Sequence, residues 1–136
     1  MGENAEVKAQ NYLSLASLNY SRGRMEDSLR LLLLAKNLQS DDAKTRFLLG
    51  KIYSEKGESA LALNEFLRAR ELDPFYEDIH KHLGILYSSK MEFREALRCF
   101  IDAYILSGGG ESARNSYYRQ QISLSAGTKA SKGCMR

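Results

Sequence analysis

Two histidines, two cysteines, a triple glycine and a pair of adjacent acids are the residues of this 136-residue chain whose types and spacing could carry chemistry. His80 and His82 stand two apart. On a helix that spacing turns their side chains about 200° from each other, so they cannot share a metal ion. A half-buried His80 and a surface His82 are expected. Cys99 lies in a strongly helical stretch with no histidine at a recognisable motif spacing, and reads as a small packing or convex-face residue. Cys134 lies among glycine, serine and lysine. Two cysteines so placed form neither a disulfide framework nor a zinc pattern. Reduced thiols in a cytoplasmic setting are the expectation. Gly108-Gly109-Gly110 lacks the Lys-Ser/Thr continuation and the preceding strand of a phosphate loop, and reads as a hinge between helices. Glu77 and Asp78 open a helix, where acids suit the macrodipole. No acid, base and nucleophile converge, so the expectation is no enzyme, no cofactor and no metal.

The elements that would position any site follow from an internal repeat. Gly50 and Gly84 are 34 residues apart, and the same offset links Leu49 to Leu83, Tyr53 to Tyr87, Ala62 to Ala96, Leu63 to Leu97, Phe66 to Phe100, Ala69 to Ala103 and Leu72 to Leu106. One step back lie Leu15, Ala16, Leu29, Leu32, Ala35 and Leu38. Three copies are therefore expected, over 9–42, 43–76 and 77–110, after a lead-in at 1–8. Within a copy the apolar residues recur three and four apart on either side of a break, such as Lys56-Gly57-Glu58. Each copy is a helix, a tight turn and a second helix. One pair can bury its apolar face only against the next. Ala16, Gly50 and Gly84 let the helices of a pair approach closely, against Ser28, Ala62 and Ala96. Ala35, Ala69 and Ala103 fit the junction with the following copy.

This register resembles the tetratricopeptide repeat. The second copy carries the resemblance best, with Leu49, Gly50, Tyr53, Ala62, Phe66, Ala69 and Pro74 in place. The family's tryptophan position holds Tyr12, Arg46 and His80. The resemblance implies an all-α, right-handed α-solenoid of three helix pairs. Residues 111–125, with Ala113, Tyr117, Tyr118 and Ile122 on one side, read as a capping helix. Residues 126–136 read as a disordered tail.

The resemblance also implies that the first helix of each pair lines a concave groove. The inner positions of this sequence include Leu13, Ser17 and Tyr20, then Lys44, Phe47, Leu48 and Lys51, then Lys81, His82 and Ile85, with Arg119 added by the capping segment. Leu13, Tyr20, Phe47, Leu48 and Ile85 are apolar groups without an evident place in the core. Cations stand around them. Such a strip suits a peptide or helix with apolar anchors and some acidic residues. On that expectation Phe47→Ala costs little stability, whereas a core position makes it costly. Repeat domains that hold acidic chaperone C-termini use a clamp of Lys and Asn, then Asn, then Lys and Arg. The matching positions here are Leu13 and Ser17, then Leu48, then Asp78 and His82, which does not resemble a clamp. A second candidate surface is formed by Leu31 and Leu34, which correspond to Glu65 and Arg68, and to Cys99 and Asp102. They look exposed in an isolated domain, facing a partner or covered by Ala5 to Val7.

Composition narrows the function classes. Hydrophobic residues make up 43% and charged residues 27%, a globular balance with one proline. The longest apolar run, Leu31 to Ala35, is far below the ~18 residues of a membrane helix. The net charge of +3 is concentrated after residue 110, where five basic residues meet one acid. Scattered charge of that size gives little support for nucleic-acid binding. An RNA reader would need basic and aromatic residues repeated along one face, and Lys44 and Lys81 alone do not supply them. The expected function is a protein-interaction module, an adaptor or assembly scaffold. An RNA-binding or enzyme-associated helical-repeat module is the alternative.

Overall fold

The computed structural model of the chain describes residues 4–38 and 42–108. They form six α-helices: α1 (Ala5–Ser21), α2 (Met25–Leu38), α3 (Ala43–Glu55), α4 (Ser59–Leu72), α5 (Glu77–Ser89) and α6 (Phe93–Leu106). The capping helix expected at 111–125, the tail at 126–136 and Arg119 lie outside the described residues.

The helices pair in chain order, α1 with α2, α3 with α4 and α5 with α6. Close approach within a pair rests on the small residues of the repeat. A Cβ built on Gly50 would stand 2.6 Å from the Phe66 ring, and one on Gly84 would stand 2.7 Å from the Phe100 ring. In the first pair, Ser28 is buried and its Oγ donates to the Ala16 carbonyl at 2.8 Å. A hydroxyl thus replaces the alanine of the other copies without leaving a buried polar group unsatisfied.

Each pair turns through the same hairpin. Arg24 N–H donates to the Asn19 carbonyl, Glu58 to Tyr53 and Glu92 to Tyr87, at 2.8, 2.8 and 2.9 Å. This six-to-one bond ends a helix when the residue before the donor is left-handed. Gly23 and Gly57 supply that conformation at φ 79° and 80°, and in the third copy Met91 is forced into it at φ 62°.

Successive pairs stack α2 on α3 and α4 on α5. One core gathers Leu13, Ala16, Leu32, Leu48, Leu49 and Ile52, and the other is built on Phe66, Ile79, Leu83 and Leu86 with Phe47. The first junction also holds a buried acid. Glu65 takes Lys36 of the preceding outer helix at 3.3 Å and Arg46 at 3.0 Å. The position where the family keeps tryptophan thus serves as an ion-pair donor in the second copy. In the third copy it holds His80, which is fully buried rather than half-buried as expected. His80 Nε2 donates to the Pro74 carbonyl at 2.7 Å, and Nδ1 lies 3.9 Å from Asp102. Cys99 is buried in the same region, and its desolvation raises the thiol pKa, which suits a packing residue.

Candidate functional site

The inner face of the first two pairs encloses an open groove of about 520 Å³. The first helix of each pair supplies its walls: Gln10, Leu13, Ser14 and Ser17 from α1, and Lys44, Phe47, Leu48 and Lys51 from α3. Tyr76, immediately before α5, closes one side. Residues three and four apart share a face of a helix, which is why Leu13 with Ser17, and Lys44 with Phe47, Leu48 and Lys51, point the same way. Asp42 fixes the start of α3. Its carboxylate accepts from Lys44 N–H at 3.2 Å and from Thr45 Oγ1 at 3.1 Å, capping the helix one turn before Phe47 and Leu48.

The floor differs from the sequence expectation. Leu13, Phe47 and Leu48 line the groove, but they are buried members of the two cores and not surplus apolar groups. Leu13 and Leu48 meet at the first junction, and Phe47 is closed in by α4 and the next pair. Phe47 is enclosed by the rings of Phe66, Tyr76 and His82, with centroids 5.8, 5.2 and 5.1 Å away. Phe47 is 7% exposed, so little of the ring is left for the groove. His82, expected on the surface, is half-buried by the same contact, and its Nδ1 donates to the Asp78 carbonyl at 2.9 Å.

Cations stand over this floor. Lys51 Nζ lies 4.9 Å from the centroid of the Tyr20 ring and 5.2 Å from that of Phe47. Such cation–ring contacts contribute ~0.5–1 kcal/mol at exposed sites and hold the ammonium above the aromatic faces. Tyr20 does not line the groove itself. Its hydroxyl donates to Glu55, and burial, together with that bond and that charge, pushes its pKa up to about 12. Tyr20 therefore stays a neutral ring beneath the lysine. Among the described residues neither Lys44 nor Lys51 is ion-paired. Lys81 is engaged by Glu77 and Asp78, each at 3.7 Å, and is absent from the groove lining. Ile85 is exposed on α5, as expected, but also does not line the groove.

Tyr76 was not legible as a groove residue. Its counterpart one period earlier is Asp42, so no repeat signal marks it. On the outer side, Leu34 is exposed as expected, whereas Leu31 is half-buried against the first core, contrary to expectation. Among the described residues no group of three histidine, cysteine, aspartate or glutamate side chains could hold a metal ion. No helix among them is long and apolar enough to cross a membrane.

The paired helices, the 34-residue register and the small-residue contacts define the tetratricopeptide-repeat fold, an all-α solenoid. No protein-family model and no curated protein matches the chain. Solved structures do. MamA is similar with a TM-score of 0.70 at 22% identity, over 78% of this chain and 61% of MamA. This chain therefore spans about three fifths of that one. The first TPR of Spaghetti (RPAP3), bound to the HSP90 peptide SRMEEVD, is similar with a TM-score of 0.72 at 13% identity, over 88% of this chain and 95% of that one. The Yersinia enterocolitica type III secretion chaperone SycD, in complex with a peptide of the translocator YopD, gives 0.68 at 21% identity, over 86% and 89%.

Proposed function

We propose that the chain is a protein-interaction module, without chemistry of its own, whose groove holds a peptide or helix with apolar anchors and acidic residues. The observation that carries this reading is the placing of Lys44 and Lys51 beside an apolar floor of Leu13, Phe47 and Leu48. The floor takes an apolar side chain by burial, and the two ammonium groups favour a carboxylate at its edge. Ser14, Ser17, Gln10 and Tyr76 supply hydrogen-bonding groups around the rim. Fold neighbours with bound peptides, RPAP3 and SycD, support the module reading. The partner differs in kind from the acidic chaperone tail, because the positions matching a carboxylate clamp hold Leu13, Ser17, Leu48, Asp78 and His82.

The test is fluorescence anisotropy with labelled peptides that carry leucine or phenylalanine flanked by aspartate and glutamate. The same peptides with lysine in the acidic places serve as the contrast. Selective, salt-sensitive binding of the acidic set is expected. Equal binding of both sets would remove the electrostatic half of the reading, and binding of neither would remove the reading.

A further inference from the structure

Both ends of the described solenoid expose positions that the interior buries. Leu49 and Leu83 are 0% exposed against the preceding outer helix, but Leu15, their counterpart on α1, is 49% exposed. Ile52 and Leu86 are buried in the same way, and their counterpart Leu18 is exposed. At the other end, α4 packs Leu63, Phe66 and Leu67 toward α5, while the counterparts on α6, Leu97, Phe100 and Ile101, are exposed. The two end faces are thus the two halves of the junction the chain makes internally between α4 and α5.

One position carries charge at both internal junctions and none at the two ends. At the first internal junction, Lys36 of one outer helix meets Glu65 of the next at 3.3 Å. One period on, the cation is kept as Arg70 and the acid is replaced by Cys99. Two periods on from Lys36, α6 carries Tyr104, which is exposed. One period before Glu65, α2 carries Leu31, with Leu34 exposed beside it. Neither end half carries a charge at this position, so an α6 face set against an α1–α2 face would place Tyr104 beside Leu31 where the first internal junction pairs Lys36 with Glu65.

We propose that copies of this chain associate head to tail, the α6 face of one against the α1–α2 face of the next, continuing the repeat junction across molecules. The sequence after α6 matches that face less well. In the same register, residues 111–125 offer Ala113, Tyr117 and Gln120 where α5 has Ile79, Leu83 and Leu86. The first pair of a second copy offers Leu15 and Leu18 at the last two of these positions, and adds Leu31 and Leu34. A contact between two different faces leaves one of each kind open on a dimer, so the assembly grows beyond a dimer with concentration.

Sedimentation velocity of the full chain over a concentration series tests this, with Leu18→Glu blocking one face and Ile101→Glu the other. Both positions are exposed, so each variant should keep its circular dichroism spectrum. The wild-type mass should rise with concentration past the dimer. Each variant alone should be monomeric. An equimolar mixture should form a dimer and stop there, because it contains one good face of each kind. A wild type that stays monomeric overturns the proposal, as when residues 111–125 hold the α6 face. A variant that associates as the wild type does, or a mixture that stays monomeric, overturns it as well.

Discussion

The Phe66 ring occupies the space a side chain at Gly50 would need, with Cε1 2.6 Å from the place of the missing Cβ. Gly84 and Phe100 repeat the relationship at 2.7 Å, but Phe66 is 1% exposed and Phe100 is 39% exposed. A ring at the solvent edge can move aside and an enclosed one cannot. Overpacking costs ~1–3 kcal/mol, and alanine returns about 1 kcal/mol of helix preference over glycine. Gly50→Ala should therefore lose about 1–2 kcal/mol in urea unfolding, and Gly84→Ala should be close to neutral. Equal losses would mean that the two contacts are alike.

Met91 is the residue that breaks the pattern of the hairpins. It holds a left-handed conformation, at φ 62°, where the other two copies have glycine. That conformation costs a residue with a Cβ ~1–2 kcal/mol. Its side chain is exposed, so little packing is lost on removal. Met91→Gly should raise stability by about 0.5–1 kcal/mol, after the greater entropy of unfolded glycine is subtracted. A lower urea midpoint would contradict this.

Phe47 belongs to the core as much as to the groove. Its truncation to alanine opens a cavity among Phe66, Tyr76 and His82, and should cost ~3–5 kcal/mol. Thermal melts of Phe47→Ala and Ser17→Ala should separate widely, with Ser17→Ala near wild type because Ser17 is exposed on the same groove wall. A near-neutral Phe47→Ala would restore the reading of this ring as a surface anchor.

His80 makes stability depend on pH. Burial holds its pKa below the ordinary value, with Arg70 acting in the same direction and the Pro74 carbonyl, Asp102 and Asp73 opposing. The unfolded chain takes up this proton near pH 6.5, whereas the folded chain does so only at lower pH. The contribution of neutral His80 is therefore complete above about pH 6.5 and is lost as pH falls below it. Urea midpoints should fall more between pH 7 and pH 5 in wild type than in His80→Gln, whose amide can still donate to the Pro74 carbonyl. Parallel profiles would show that His80 does not couple folding to protons.

The pairing of helices was legible in the sequence because one contact imposes it. A small residue at Gly50 faces a large one at Phe66, and the demand recurs in each copy at a fixed spacing. The inner face was legible in part. Lys44, Lys51, Leu13 and Ser17 follow from helical spacing once the period is set. The depth of Phe47 was not, because it depends on Tyr76 and His82 of the following pair, and Leu48 is drawn into the core with Leu13 and Leu32 of the preceding one. Tyr76 lies in a linker outside the periodic positions. Glu65 reads as a surface acid until Lys36 and Arg46 arrive from two other helices. Met91 takes its conformation from the turn and not from its own preference.

The groove reading is tested most directly by reversing its cations without touching its floor. Lys44 is exposed and Lys51 half-buried, so Lys44→Glu with Lys51→Glu should preserve the melt to within about 1 kcal/mol. Anisotropy titrations of the tightest acidic, leucine-bearing peptide should then show at least a tenfold weaker Kd than wild type, with the loss diminishing as salt is raised. An unchanged Kd on a folded double variant would contradict the account and place the binding face elsewhere on the solenoid.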